Sequence, residues 1–484
     1  MNKQHTKDYI AILDIGSNAV RLVIYDGLNR APVRVYNERD ICGLGADLST
    51  TGRLNPDAVR KARASIARFA GLIDAMGIRK TFAVATAALR DAKDGASFIA
   101  AVKKQTGLVI RIIAGDEEAR LAAVGVTMNS AGGECVIGDL GGGSLEIIAM
   151  SGSRMRDKIS LPLGTHRLHT ARTRADRVKL IDDALDSVPF LKKIKPCDFY
   201  ALGGAWRSMG KAHIRMTDHP VRVVDQYAID GKKAYDYAQL MARQSPASLE
   251  KTAGLSKKRV RDMSAAALVM ERLFERLNPQ RLVFSGTGLR EGLIHDQLTP
   301  AQQRQDPLIA SCRKMALHLG RFDDLKGYAV LLRWLLPLFP DVPPSFLRLL
   351  EANCLLSDTV WADHEDYRAE LAFEFLLAAP LYGIDHAGRA FLAVSQYARY
   401  AGSVPDGSYA DPHAVVAGMA MRVAYLMTGG ALWLLKDSEI KVTPKNISLH
   451  LRGKAAALHA PLIEDVFSDL ARVVGRAPSV KVWT

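Results

Sequence analysis

Two segments of this chain repeat one uncommon pattern, and the repetition restricts the fold more than any other feature. Residues 9–26 read YIAILDIGSNAVRLVIYD, an apolar run, a Gly-Ser-Asn turn and a second apolar run. The pattern returns at 134–150 as ECVIGDLGGGSLEIIAM. Each copy reads as a strand with a late Asp, a Gly-rich turn containing Ser, and an antiparallel strand. Two copies imply a duplicated unit whose turns face one cleft.

The sequence between and after the copies alternates strands with helices, as an α/β domain requires. Asn55 is placed as an N-cap, Pro56 fits the first helical position, and Val59, Ala62, Ile66, Phe69 and Ile73 recur at three and four. Gly77 suits the stop. Strand-like Thr81–Thr86 and Val109–Ile113 flank a helical stretch around Ser97–Lys104. The second copy runs on through Tyr200–Gly204 to a strand, loop and helix at Arg281–Ile294. Polar Asp296–Gln305, with Pro300, reads as a boundary. Beyond it, Leu-, Ala- and Trp-rich segments with short Pro or Gly breaks read as helices. The expected division is 1–125, 126–300 and an all-α 301–484, in keeping with the three domains that 484 residues predict.

Charge narrows the partner. The formal net charge is +14, yet residues 301–484 hold 19 basic and 19 acidic side chains, while residues 151–261 hold 23 basic against 11 acidic. The concentration points to a polyanion, with a solvated basic face as the alternative. The oiliest stretch, near Tyr328–Phe339, is broken by Arg333 and Pro337 and is too short to span a bilayer. No apolar signal core opens the sequence, so export is not expected. The five cysteines are dispersed without a C-x-x-C, which argues for a reducing cytoplasm and against zinc.

The strongest chemical signal is Asp139-Leu-Gly-Gly-Gly-Ser144 followed by Glu146. Three glycines after a strand let the backbone approach a ligand and turn successive N–H groups towards it, forming an anion cradle. An Asp before such a turn is placed to hold Mg²⁺, which takes carboxylate, water and phosphate oxygens. A glycine-rich hairpin with no ligand is the alternative, weakened by the matching Asp14-Ile-Gly-Ser-Asn18 with Arg21 behind it. The cluster Gly115-Asp-Glu-Glu-Ala-Arg120 opens a helix, where acids suit the dipole whether or not they do chemistry.

These paired turns resemble those of the acetate and sugar kinase, heat-shock protein and actin superfamily. Within it the sequence is similar to the exopolyphosphatase and guanosine pentaphosphate phosphohydrolase family. The motifs occur in order: DIGSNAVRL at 14–22, ATAALR at 85–90, IAGDEEARL at 113–121, GDLGGGSLEI at 138–147, ALGGAWRS at 201–208 and SGTGLREG at 285–292. The resemblance implies two actin-like (ribonuclease H-like) α/β domains with the active cleft between them. It implies Mg²⁺-dependent release of terminal orthophosphate from inorganic polyphosphate, with Glu118 orienting and deprotonating the attacking water. It further implies that Asn18, Arg21 and Arg90 contact phosphates. By the same resemblance Gly16, Ser17, Thr86, Gly141, Gly142, Gly143, Ser144 and Gly286 are expected to line the cradles, and Asp139, with Asp14 and Glu146, to hold the metal. In nucleotide-using relatives loops like Gly203-Gly204 face adenosine, and whether Trp206 stacks a base stays open.

The alternatives to polyphosphate hydrolysis are hydrolysis of guanosine pentaphosphate by the same groups, or a binding regulator without turnover. No nucleic-acid module is recognisable. The basic stretch, with Lys257, Lys258, Arg259 and Arg261 at its end, is expected to grip the remainder of the chain. The C-terminal region resembles the His-Asp metal phosphohydrolase domain in degenerate form: Ser357-Asp358 stands where an active enzyme has His-Asp, with His364 and His386 as remnants. A role in packing, dimerisation or holding one wall of a channel follows, and a homodimer is expected.

Overall fold

The structure is a computed structural model and describes residues 8–130, 132–171, 173–251, 257–322, 325–405 and 411–483. The chain divides into two compact units, Met1–Arg304 and Gln305–Thr484.

In the first unit, β1 (Ile10–Ile15), β2 (Ala19–Tyr25) and β3 (Arg34–Ile41) form an antiparallel meander. β4 (Lys80–Ala85) and β5 (Ile110–Ile112) extend it in parallel on the far side of β1. The second sheet repeats this plan. β6 (Glu134–Leu140), β7 (Leu145–Ser151) and β8 (Arg154–Leu161) form the meander, and β9 (Asp198–Leu202) and β11 (Arg281–Phe284) the parallel flank. Only β10 (Tyr227–Asp230), antiparallel to β11, is additional. The duplication legible in the two hairpins is therefore a duplication of the whole sheet order.

Burial explains why these segments are strands. β1 reads IAILDI because helices cover both faces of the sheet, so alternation is lost and nearly every side chain is apolar. Helix Pro56–Ala75 supplies one cover: Asn55 accepts the Ala58 N–H as predicted, and Ala62, Ile66, Phe69 and Ile73 lie in the core. Lys257, Lys258, Arg259 and Arg261 open helix Lys257–Leu277, but their side chains lie outside the described residues.

The two halves are joined by a close helix pair. Helix Gly115–Thr127 leads from β5 towards β6 and packs on helix Leu289–His295, which carries Leu293 and Ile294 back to the core of β1 and β2. The approach needs glycine: a methyl at Gly125 would stand 2.0 Å from the Gly288 carbonyl oxygen, and one at Gly292 2.0 Å from that of Leu121. Gly125→Ala and Gly292→Ala should each lower stability by about 1–3 kcal/mol in urea denaturation, because backbone must yield. Gly71→Ala, on an exposed helix face with nothing within 4 Å of the new methyl, should instead stabilise by up to about 1 kcal/mol.

The second unit is mainly helical, but it is not all-α. β12 (Ser438–Val442), β13 (Asn446–Arg452) and β14 (Ala477–Trp483) form a sheet, with β13 and β14 parallel across helix Pro461–Val474. The signal was a short alternation, Ile447, Leu449 and Leu451 inward with Ser448 and His450 between, masked by the Leu- and Ala-rich helices around it. Asp358, buried beside Ser357, is occupied by arginines: it accepts from the Arg321 backbone at 3.1 Å and from the Arg321 and Arg399 guanidiniums at 3.3 and 3.4 Å. The Ser357 hydroxyl bonds the Cys354 carbonyl and the Tyr425 hydroxyl. Among the described residues no group of three or more His, Cys, Asp or Glu is arranged to hold a metal ion. No described helix is long and apolar enough to cross a membrane.

Candidate active site

The two Gly-rich turns are built alike. In the first, the Gly16 N–H donates to the Ala19 carbonyl at 3.0 Å, and in the second the Gly141 N–H donates to that of Ser144 at 3.0 Å. Each turn is fastened by its surroundings. The Gly45 N–H binds the Ser17 carbonyl, and those of Cys42 and Gly43 bind that of Asn18. The N–H groups of Thr165 and His166 bind the carbonyls of Gly141 and Gly142. A methyl built at Gly143 would lie 3.9 Å from Ser17 Oγ, so the turns meet face to face. The cleft they enclose has a volume of about 770 Å³.

The structure gathers the expected residues on this cleft. Asp14, Gly16, Ser17, Asn18 and Arg21 line it from the first hairpin. Asp139, Gly141, Gly142, Gly143, Ser144 and Glu146 line it from the second. Thr86, following β4, Glu118 and Gly286 complete the set. Gly286 serves as wall: its N–H already donates to Asp225 Oδ1 at 2.6 Å, and its carbonyl accepts from Arg34. Arg90 is placed differently, behind Glu118, donating to Glu118 Oε2 at 3.1 Å and to the Ile113 carbonyl at 3.1 Å.

The acidic helix start resolves into two kinds of residue. Asp116 pairs with Lys158 and Glu117 with Arg111, as surface acids near a helix N-terminus do. Glu118 turns into the cleft, where burial and the neighbouring Glu146 push its carboxyl up to about 8 against the pull of Arg90. Burial and Glu146 likewise raise Asp139 to about 7. Burial raises Glu146 as well, while hydrogen bonds from Ser144 and Ser160 oppose it. Three carboxyl groups thus share a region that resists their joint ionisation.

Cations share the cleft with them. Burial and neighbouring guanidiniums lower Arg21 to about 9 and Arg207 to about 10, both still charged at neutral pH. Arg290 donates to Asp14 Oδ2 at 2.8 Å. The lining includes six cationic side chains, among them Arg21, Arg34, Arg207 and Arg290, and six acidic ones. The cleft is thus charge-rich but balanced, and it gains an appetite for phosphate only when its carboxylates are offset. Asp139 and Glu146, paired across the second hairpin, offer the carboxylate oxygens that a divalent cation takes one or two of, completing its shell with water and phosphate oxygens.

Sequence reasoning missed Arg34, Lys211, Asp225 and Arg290 as cleft residues. Arg290 stands inside the quoted motif SGTGLREG, so that signal was present; Arg34, on β3, carried none. The question about Trp206 closes: it is fully buried, donates from Nε1 to the Ala266 carbonyl at 2.9 Å and packs edge-on to Phe199. It is a core residue and offers no face to a base.

Comparisons with known proteins agree with this geometry. The chain matches the Ppx/GppA phosphatase family over residues 23–301, and the exopolyphosphatase C-terminal family over 345–461. It is 26% identical over 445 residues to retrograde regulation protein 2 of Saccharomyces cerevisiae, covering 83% of this chain and 74% of that protein. It is 27% identical over 302 residues to exopolyphosphatase 1 of Mycobacterium leprae, covering 59% of this chain and 88% of the relative. The crystal structure of the Aquifex aeolicus Ppx/GppA family member is similar with a TM-score of 0.52 and 25% identity, covering 60% of this chain and 97% of its own. The first family match takes in more than half of the sequence, including Glu118, the second hairpin and Arg290, and the chain belongs to the Ppx/GppA phosphatase family.

Proposed function

We propose that this chain is an exopolyphosphatase, releasing orthophosphate from the end of inorganic polyphosphate with Glu118 as the base. The observation that carries the reading is Glu118 itself. It is a single carboxylate, steadied by Arg90, facing two anion-cradling turns and poised near neutral pH.

The chain's own groups account for binding and proton transfer. The Gly141–Ser144 and Ser17–Asn18 turns present backbone and side-chain donors to the terminal phosphate, with Arg21 and Arg207 countering its charge. Glu118 orients a water for in-line attack on the terminal phosphorus and takes its proton. The bond from that phosphorus to the bridging oxygen breaks, and the shortened chain leaves with the oxygen. Asp139 and Glu146 would hold Mg²⁺, which supplies charge neutralisation to the phosphates. Asp14, engaged by Arg290, would support it through water.

Two observations favour the polymer over guanosine pentaphosphate. Trp206 provides no stacking surface. The basic excess of residues 151–261 exceeds what one nucleotide needs. Relatives named exopolyphosphatase agree with the choice. The five cysteines, all free thiols, suit a cytoplasmic setting.

With Mg²⁺, the purified protein should release orthophosphate from long-chain polyphosphate with kcat/KM at least about tenfold above that for guanosine pentaphosphate, a difference of ~1.4 kcal/mol. Hydrolysis of the nucleotide alone would overturn the reading.

A further inference from the structure

Helix Gly204–Met216 begins in the cleft and carries a basic stripe away from it. Arg207, Lys211 and Arg215 recur every four residues and so share a face, each ~6 Å further along the axis. Arg207 lines the cleft, and Lys211 lines both the cleft and a second pocket of about 420 Å³. That pocket is completed by Ile214, Arg215, Asp218, His219 and Arg222. We propose that this stripe and pocket form the track for the phosphates behind the scissile bond. A chain bound at Glu118 would leave the cleft past Lys211 and be gripped by Arg215 and Arg222. The inference rests on the reading of the chain as a polyphosphate hydrolase and adds where the undigested polymer lies.

Position singles out this route. Of the described Lys and Arg in residues 151–261, Arg207 and Lys211 alone line the cleft; others stand elsewhere, some paired locally, as Arg156 is with Glu134 and Arg174 with Glu271. Lys211, Arg215 and Arg222 are exposed, and among the described residues none of them forms an ion pair with a carboxylate. Asp218 is the one acid on the pocket wall, against three cations. A run of cations without a carboxylate partner thus leads from the catalytic cleft along one helix face, through Lys211 and Arg215, to Arg222 in the segment that follows.

The wall chemistry matches a phosphate chain better than a nucleobase. It offers cations around the single aliphatic side chain of Ile214, and the His219 ring already lies against Tyr227, 4.9 Å between centroids. A polyanion needs spaced charges and no flat apolar face, and it releases counterions on binding.

The test is the full-length Arg215→Gln/Arg222→Gln variant, neither residue touching the cleft. Rates with Mg²⁺ are compared on tripolyphosphate, long-chain polyphosphate and guanosine pentaphosphate, and thermal melting confirms the fold. At low salt, kcat/KM for the long chain should fall about tenfold and its salt dependence should flatten, while tripolyphosphate stays within about twofold. Binding of long-chain polyphosphate in EDTA should weaken in parallel. Equal losses on long and short chains, no loss on the long chain, or a selective loss on the nucleotide would each overturn the track. A native protein inert towards both polyphosphates would instead defeat the exopolyphosphatase reading, and the EDTA binding comparison would still decide whether the stripe holds the polymer.

Discussion

Glu118→Gln should lower kcat on polyphosphate by about 10²–10⁴-fold, with KM little changed, while making the protein more stable near pH 8. The activity loss follows because no other carboxylate takes the same position: Asp116 and Glu117 are turned to surface partners, and Asp139 and Glu146 belong to the facing hairpin. The stability gain follows from linkage. Burial and Glu146 raise the folded value of Glu118 to about 8 from an ordinary 4.5, so the folded protein holds a proton that the unfolded chain has released. Stability therefore declines as pH rises from about 4.5 to about 8. The glutamine cannot ionise and should recover on the order of 1–3 kcal/mol at pH 8, after allowance for water in the cleft. In rate measurements the acid limb of kcat/KM should lie highest at limiting Mg²⁺ and move down as Mg²⁺ concentration rises, since positive charge favours the carboxylate. Orthophosphate release and melting curves across pH test both arms. Undiminished turnover by the variant would remove Glu118 from the mechanism.

Glu291→Ala should cost about 3–5 kcal/mol, the usual penalty for breaking a buried, hydrogen-bonded ion pair from one side. Glu291 is completely buried and ties together both halves of the first unit. Its Oε1 accepts from the Tyr25 hydroxyl at 2.7 Å and from Arg34 at 2.6 Å, and its Oε2 from the Gly288 N–H at 3.0 Å. Burial alone would raise its carboxyl, but Arg34 and Arg290, with the Tyr25 hydrogen bond, prevail and hold it at about 2. This sign is opposite to that of Glu118. Its contribution is complete above the ordinary 4.5 and is lost as pH falls towards about 2, so acid unfolding of the native protein should lose an increment that Glu291→Ala lacks. Tyr25→Phe, which removes one neutral donor, should cost only about 1 kcal/mol. Urea midpoints at pH 7 and at about pH 2.5, inside the window between the two values, separate these effects; equal stability of native protein and Glu291→Ala at pH 7 would show the tie to be dispensable.

What the sequence disclosed and what it withheld divide along a physical line. Hairpins, the helix from Pro56, Asp14 and Asp139 were legible because local rules govern them: turn glycines, an Asn cap, period three-and-four burial, an acid before a Gly-rich turn. Glu118 stood out only through the family resemblance, since an acid in a first helical turn needs no chemistry to explain it. The partnership of Arg290 with Asp14, 276 positions apart, was not, since only the return of helix Leu289–His295 to the first sheet creates it. Trp206 carried the opposite difficulty. A tryptophan after a glycine pair looks the same in sequence whether it faces a ligand or the core, and packing against Phe199 decides. The sheet of the second unit was lost for a third reason: its strands are short and β14 is largely exposed, so no apolar run announces it.

The two hairpins coincide in pattern but carry opposite charges at one paired position. Asp14 stands opposite Arg21, whereas Asp139 stands opposite Glu146. A cleft made of two equal halves would be symmetric, and an unbranched chain of identical phosphates could thread it in either sense. Here one wall ends in a cation and the other in a second acid. This gives the cleft a polarity that its substrate lacks. Duplication supplied the enclosure, and the opposite charges at Arg21 and Glu146 make its two walls unlike.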